Sequence, residues 1–434
     1  MAVSRRRFLG GTAGAAGLYL ISPVLARAGR AVGIGVDPAL ANRRRLVVIF
    51  LGGGNDGLNT VVPVADVAGA ARASVYRKLR PSLGYAPEQT LRLDRAADAG
   101  HGLGLSPSLP YLHGLYRDGR VALVQGVDYP NHSYSHFSST EIWHTGEPER
   151  SVSGWVGRHL DRAGASEGEV RAVGIGNGLP VILRGDSRQG LGIVNIPSTK
   201  FADGADNDVN AKARHDALAG FGGHPEAEAL RALHGRTSGA TVGLVRNLAE
   251  TKVPAATGSA LADKLVTARL LLEEDIGTEV VYLEHSGFDT HANQRAQQER
   301  LLAELDAGLG MFWTGKLGTK QVMEPMSPHL TDRTMVMTLS EFGRRIGENG
   351  TGAGSGTDHG AASPMFLIGP PAAASPLVGG VHGDHPDMGT VALPADNLVM
   401  TTDLRRVYES VLTNWLHNPD PLYSRYAPLP GLFR

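Results

Sequence analysis

The sequence predicts an α/β fold, with a mostly parallel central sheet sandwiched between helices. Two observations carry this. The first is a set of largely apolar runs, Leu46–Leu51, Val121–Val124, Glu279–Leu283 and Thr334–Leu339. They lack the polar alternation of a half-exposed strand, which marks strands buried on both faces, as in a parallel sheet. The second is the recurring order of segments. A loop rich in Gly, Asp or His comes after a strand, a helical segment comes after the loop, and this order repeats along the chain. Alternating strands and helices argue for one α/β domain. The 434 residues suffice for a sizeable core.

Taken in order, residues 1–28 read as a signal peptide. Ser4-Arg-Arg-Arg-Phe-Leu9 precedes a small and apolar run, and Ala26-Arg-Ala28 offers a cleavage site. Paired arginines before Phe-Leu resemble a twin-arginine export signal, so the chain is expected to use that export machinery and to reside in the periplasm, the cell envelope or outside the cell. The run is short, glycine-rich and broken by Pro23, so no stable transmembrane span is expected. Residues 29–42 read as a linker and 43–434 as the domain, with an insertion or lid around 185–258. The histidines in that stretch, His215, His224 and His234, read as surface residues.

Lys plus Arg number 42 and Asp plus Glu 43, so there is no basic excess of the kind that a nucleic-acid partner selects. There is no cysteine. Any bound metal must therefore be held by His, Asp, Glu or hydroxyl groups.

The strand at Leu46–Leu51 ends in Gly52-Gly-Gly-Asn-Asp56-Gly. This fits neither a P-loop nor a dinucleotide fingerprint, but it puts Asp56 at the C-terminal edge of a central strand, where open α/β sheets bind ligands. Leu109–Leu115 reads as a helix. After Val121–Val124 comes a helix from about His136, with Ser135 at its N-cap. A hydroxyl there either caps the helix or lies in the positive end of its dipole, beside an anion. Gly154–Leu160 and Leu261–Glu273 read as further helices. The strand at Glu279–Leu283 leads to Asp289 and His291, then to a helix from Gln297 to about Leu317. Thr334–Leu339 leads to Glu341, Arg344 and the pair Asp358–His359, and Met365–Ile368 leads away. Val381-His382-Gly-Asp384-His385 comes next, either as a further ligand source or as a turn. In the last helix Thr402 is expected as the cap, with Asp403 suiting the dipole. A parallel sheet brings Asp56, Ser135, Asp289, His291, Asp358 and His359 to one edge. Oxygen and nitrogen donors without sulfur suit one or two divalent ions: zinc, manganese, magnesium or calcium. Two such ions about 3.5–4 Å apart can clamp the attacking and leaving oxygens of phosphoryl transfer.

The motifs FLGGGNDGLN, SHFSSTEIWHTG, GFDTHANQ, SEFGRR, GTDHG and TTDLRRVY, in that order over residues 43–417, resemble the domain of unknown function 1501 family of exported bacterial proteins. That family sits in the alkaline phosphatase-like superfamily, with sulfatases and metal-dependent phosphoglycerate mutases. The resemblance implies an alkaline phosphatase-like fold with a site for one or two metals. It implies Asp56, Asp358 and His359 on one metal and Asp289 and His291 on the other. Ser135 is the implied nucleophile, with Ser138 as fallback, and His382 or His385 a late histidine. The x-Pro-x-Arg motif of sulfatase formylglycine sites is not found. The expectation is an exported, metal-dependent hydrolase of phosphate or sulfate esters, acting on an anionic small-molecule or polymer substrate. Ser135 or a metal-activated water attacks, and Arg344 either steadies the anion or forms an ion pair on a helix surface. The alternative is a noncatalytic cell-envelope binding protein that keeps the fold.

Overall fold

The structure, a computed structural model, describes residues 43–67, 71–149, 151–163, 169–200, 209–220, 229–274, 277–386, 388 and 397–434. The expected signal peptide and linker, residues 1–42, lie outside these, as does His224.

One nine-stranded sheet organises the molecule. Its strands are β1 (Arg45–Gly52), β2 (Val121–Asp128), β3 (Ala172–Ile175), β4 (Leu191–Ile193), β5 (Val280–Ser286), β6 (Thr334–Leu339), β7 (Ser363–Ile368), β8 (Gly380–His382) and β9 (Thr402–Asp403). The order across the sheet is β8-β2-β7-β6-β1-β5-β3-β4, with β9 also on β2. Every pairing is parallel except those of β7, which runs against both β6 and β2. The mostly parallel sheet expected from the sequence is therefore what forms.

Side-chain alternation explains the continuous apolar runs. In β1, Val47, Ile49 and Leu51 pack into one core with α1 (Pro110–Arg117), α4 (Ala260–Glu273) and α5 (Gln294–Thr314). Leu46, Val48 and Phe50 pack into the other, with Trp143 of α2 (His136–Thr145), Trp155 of α3 (Trp155–Ala163) and α6 (Leu404–Asn414). Both faces of β1 are buried, and the middle of that strand carries no polar side chain. Within the stretch expected as an insertion or lid, Leu244 and Leu248, in the helix Ala229–Leu248, belong to the first cluster. His215 is buried, which corrects its expected surface position. The last helix is capped by Asp403, whose carboxylate accepts from the Arg405 N–H, and not by Thr402, which pairs in β9.

The reversal of β7 positions the site. The C-terminal ends of β1, β2, β5 and β6 share one sheet edge. Because β7 is antiparallel, its N-terminal end reaches that edge, so the residues just before it are delivered there with the loops at the ends of the others.

His144, the penultimate residue of α2, gives the core an acid sensitivity. It packs edge-on against Phe50 and Tyr282, with Nε2 3.1 Å from the Tyr282 hydroxyl. Burial lowers its pKa to about 3. The folded value is depressed, so this contribution is full above the unfolded value near 6.5 and is lost as pH falls toward 3. His144→Gln is expected to lose about 2–3 kcal/mol less stability than the parent between about pH 7 and pH 4.5. Urea unfolding at both pH values, with chelator throughout, measures it; equal losses would contradict the assignment.

Candidate metal centre

Four segments build the site at the shared edge. After β5, the buried Phe288 anchors the loop, and Asp289 and His291 stand out from it. The β1 loop closes against this segment. A Cβ on Gly53, whose φ is +114°, would lie 2.3 Å from the Asp289 backbone nitrogen, so only glycine fits. The third segment is a short antiparallel hairpin, Gly343–Arg344 against His359–Gly360, which sets Arg344 opposite His359. The fourth is the start of α2, where His136 is the first helical residue.

These segments converge on the Asp289 carboxylate. His359 Nε2 and His291 Nε2 each lie 3.1 Å from Oδ1, and His136 Nε2 lies 3.5 Å from Oδ2. Potential ligand atoms of His136, Asp289 and His359 all lie within 4.8 Å of one another, a group able to hold a metal ion. His291 Nε2 is 3.0 Å from His359 Nε2. The other nitrogen of each ring is already engaged. His136 Nδ1 is 2.9 Å from Glu341 Oε1, His359 Nδ1 is 2.8 Å from the Tyr134 carbonyl, and His291 Nδ1 is 3.1 Å from Asp358 Oδ1. A carbonyl can only accept, and an ionised carboxylate likewise, so Nδ1 donates in all three rings and the neutral tautomer leaves Nε2 bare. Three imidazole lone pairs then face a carboxylate. Only added protons or a shared cation relieves that repulsion. Metal-bound histidines are typically oriented in this way, through a hydrogen bond from the other ring nitrogen.

The charges support it. Burial would raise Asp289, but the Arg344 guanidinium, which donates to Oδ1, outweighs it and holds the carboxyl at about 2. Burial would also raise Asp358, while His291 and Asn349 hold it below the usual range. Both are anions at neutral pH.

The residues expected from the sequence divide. Asp289, His291, Asp358 and His359 come together, with Asp358 behind His291 and bonded also to Asn349. Asp56 does not join them, a correction: its side chain is fully buried, its Oδ2 is 2.6 Å from Arg80 Nη1, and Gln294 donates to the same oxygen. Arg344 is corrected too. It is neither free to hold a substrate nor on a helix surface. Its buried guanidinium donates to the carbonyls of Gly53, Gly54, Phe288 and Thr357 and to Asp289 Oδ1. Ser135 is the exposed N-cap residue of α2, but its side chain makes no capping bond. Ser138 is exposed on that helix. His382 and His385 bond to the carbonyls of Val378 and Pro386 and fall outside the metal group.

Sequence reasoning missed His136 and Glu341 as functional residues. His136 sits beside Ser135, and the cap position drew attention to the serine. Glu341 is two residues past β6, and the spacing from strand end to acid was the available signal.

A family model described as "Protein of unknown function (DUF1501)" matches residues 120–413. The FLGGGNDGLN segment lies outside that match. No curated protein matches the chain. Among solved structures, the chain is similar to one titled "Crystal structure of PsFucS1 sulfatase from Pseudoalteromonas sp.", with 11% identity and a TM-score of 0.31, over 95% of this chain and 74% of that one. A likeness that slight carries no functional weight.

Proposed function

The chain belongs to the DUF1501 family, whose description assigns no activity, and from the site itself we propose that it is an exported, metal-dependent hydrolase of phosphate or sulfate esters. The observation that carries this is the convergence of three Nε2 atoms on Asp289 while every Nδ1 is held by an oxygen. His136, Asp289 and His359 hold the ion, and His291 completes the shell. An imidazole-rich set without sulfur suits zinc over magnesium or calcium. Bound there, a divalent ion supplies Lewis acidity toward an ester oxygen.

The chain's own residues do the rest. Ser135 is the proposed nucleophile: its hydroxyl is not spent on capping, and the N-terminus of α2 favours an anionic ester beside it. Arg345 takes the anion-steadying role expected of Arg344. It follows the hairpin arm directly, its Nε is 3.2 Å from the His359 carbonyl, and its guanidinium lies 5.3 Å from the Tyr134 ring centroid. Glu341 fixes His136. Its Oε1 also accepts from the Gly53 N–H at 2.8 Å, so Glu341→Gln keeps an acceptor and loses the charge. That change is expected to weaken zinc affinity about 10–100-fold with the fold retained, as read by competition titration; unchanged affinity would remove Glu341 from the account.

Export through the twin-arginine machinery rests on Arg5, Arg6 and Ala26-Arg-Ala28. Among the described residues no helix is long and apolar enough to cross a membrane. The second reading, a noncatalytic envelope binding protein, is favoured by one observation: no hydrogen bond ties the Ser135 hydroxyl to the described metal group. Turnover of chromogenic phosphomonoesters, phosphodiesters and sulfate esters by zinc-loaded protein, abolished in Ser135→Ala, supports the hydrolase. Stoichiometric zinc with no turnover of any ester supports the binding protein.

A further inference from the structure

We infer that the centre holds a single divalent ion, because Arg80 already supplies a fixed positive charge at Asp56, where the family resemblance would put a ligand to a metal. The inference rests on the metal reading of His136, Asp289 and His359. Both side chains of the Asp56–Arg80 pair are fully buried. Arg80 is not a mobile counter-ion. Its Nε is 2.7 Å from the Ile346 carbonyl, its Nη2 2.8 Å from the Arg345 carbonyl, and its Nη1 3.0 Å from Asn59 Oδ1. The guanidinium is therefore locked by the chain just past Arg344.

The surroundings repel a second ion for three reasons. First, Gln294 turns its amide N–H to Asp56 and its carbonyl to the Thr357 hydroxyl, at 2.5 Å, so the donor end of that amide faces Asp56. Second, the neighbours bonded around Asp56 and Arg80, Asn55, Asn59, Thr60 and Gln298, are amides and a hydroxyl, whereas a tight divalent site of this kind needs about three anionic or imidazole ligands. Third, the four carboxylates Asp56, Asp289, Glu341 and Asp358 stand against the three guanidiniums Arg80, Arg344 and Arg345. One negative charge is left over. One divalent ion converts that to one positive charge, matched to an anionic ester, and two would leave three. The opposing observation is that Asp56 Oδ1 is buried without a hydrogen-bond partner. It is the one place at Asp56 that a cation can still reach, so counting ions is the decisive experiment.

With one ion, no second cation clamps the leaving oxygen, and turnover falls steeply as the leaving alcohol becomes more basic. Elemental analysis of the full chain, loaded with zinc and desalted, is expected to give one ion per chain. The double variant Asp56→Asn/Arg80→Met removes both buried charges together and is expected to keep one ion at unchanged affinity. Two ions in the parent, falling to one in the double variant, overturn the inference while leaving the metal reading intact. No ion in the parent overturns both.

Discussion

Asp289→Asn is expected to abolish stoichiometric zinc and to lower kcat/KM on the best ester by on the order of 10³-fold or more, the several kcal/mol that a Lewis-acid ion supplies. The reason is geometric. Among the described residues, Asp289 is the group that all three Nε2 atoms share: Oδ1 faces His291, His359 and Arg344, and Oδ2 faces His136. An asparagine has one acceptor in place of two. Its NH2 group would donate to a bare Nε2 and occupy the lone pair meant for the ion. The fold is expected to survive, because the Asp289 side chain is 47% exposed and Arg344 retains its four carbonyl partners. Elemental analysis and circular dichroism on the same sample separate the two outcomes. Full zinc occupancy in a folded variant would show that the ion does not depend on Asp289.

Arg344→Leu is expected to cost at least about 3 kcal/mol of stability, from the carbonyls of Gly53, Gly54 and Thr357 left without a donor at roughly 1–3 kcal/mol each, while the Phe288 carbonyl keeps the Thr290 N–H. Gly53 and Gly54 come after β1, Phe288 comes after β5, and Thr357 precedes the second arm of the hairpin. One guanidinium therefore ties three of the four site segments together. Arg344→Lys is expected to recover only part of the loss, because an ammonium has three donors and no planar fork. Urea unfolding of the metal-free proteins measures this. A loss below about 1 kcal/mol would mean that the loops hold one another without the arginine.

The elements were legible where one physical cause acted alone. β1 reads as a strand because both its faces are buried, and β6 because six residues, Thr334–Leu339, are all buried. Asp289, His291, Asp358 and His359 were legible because each lies next to a strand end at the shared edge. Asp56 was placed correctly along β1, but its partner was not visible. Arg80 lies just past a helix with no acidic residue in its first turn, and nothing local says that it folds back 24 residues onto a carboxylate. Arg344 was misjudged because a two-residue strand leaves no periodicity to read. The cap of α6 was displaced by one residue, since Thr402 and Asp403 are both competent caps and β9 pairing claims the first. His136 was hidden for a related reason, because a helix start offers the cap as a sufficient explanation for its residues.

The central claim, that histidines from α2, the β5 loop and the hairpin meet on one cation with Asp289, is tested most directly by X-ray absorption at the zinc edge of the loaded protein. The account predicts a first shell dominated by imidazole nitrogens, with one carboxylate oxygen, at about 2.0–2.2 Å. A shell of oxygens alone, without imidazole scattering, would contradict it.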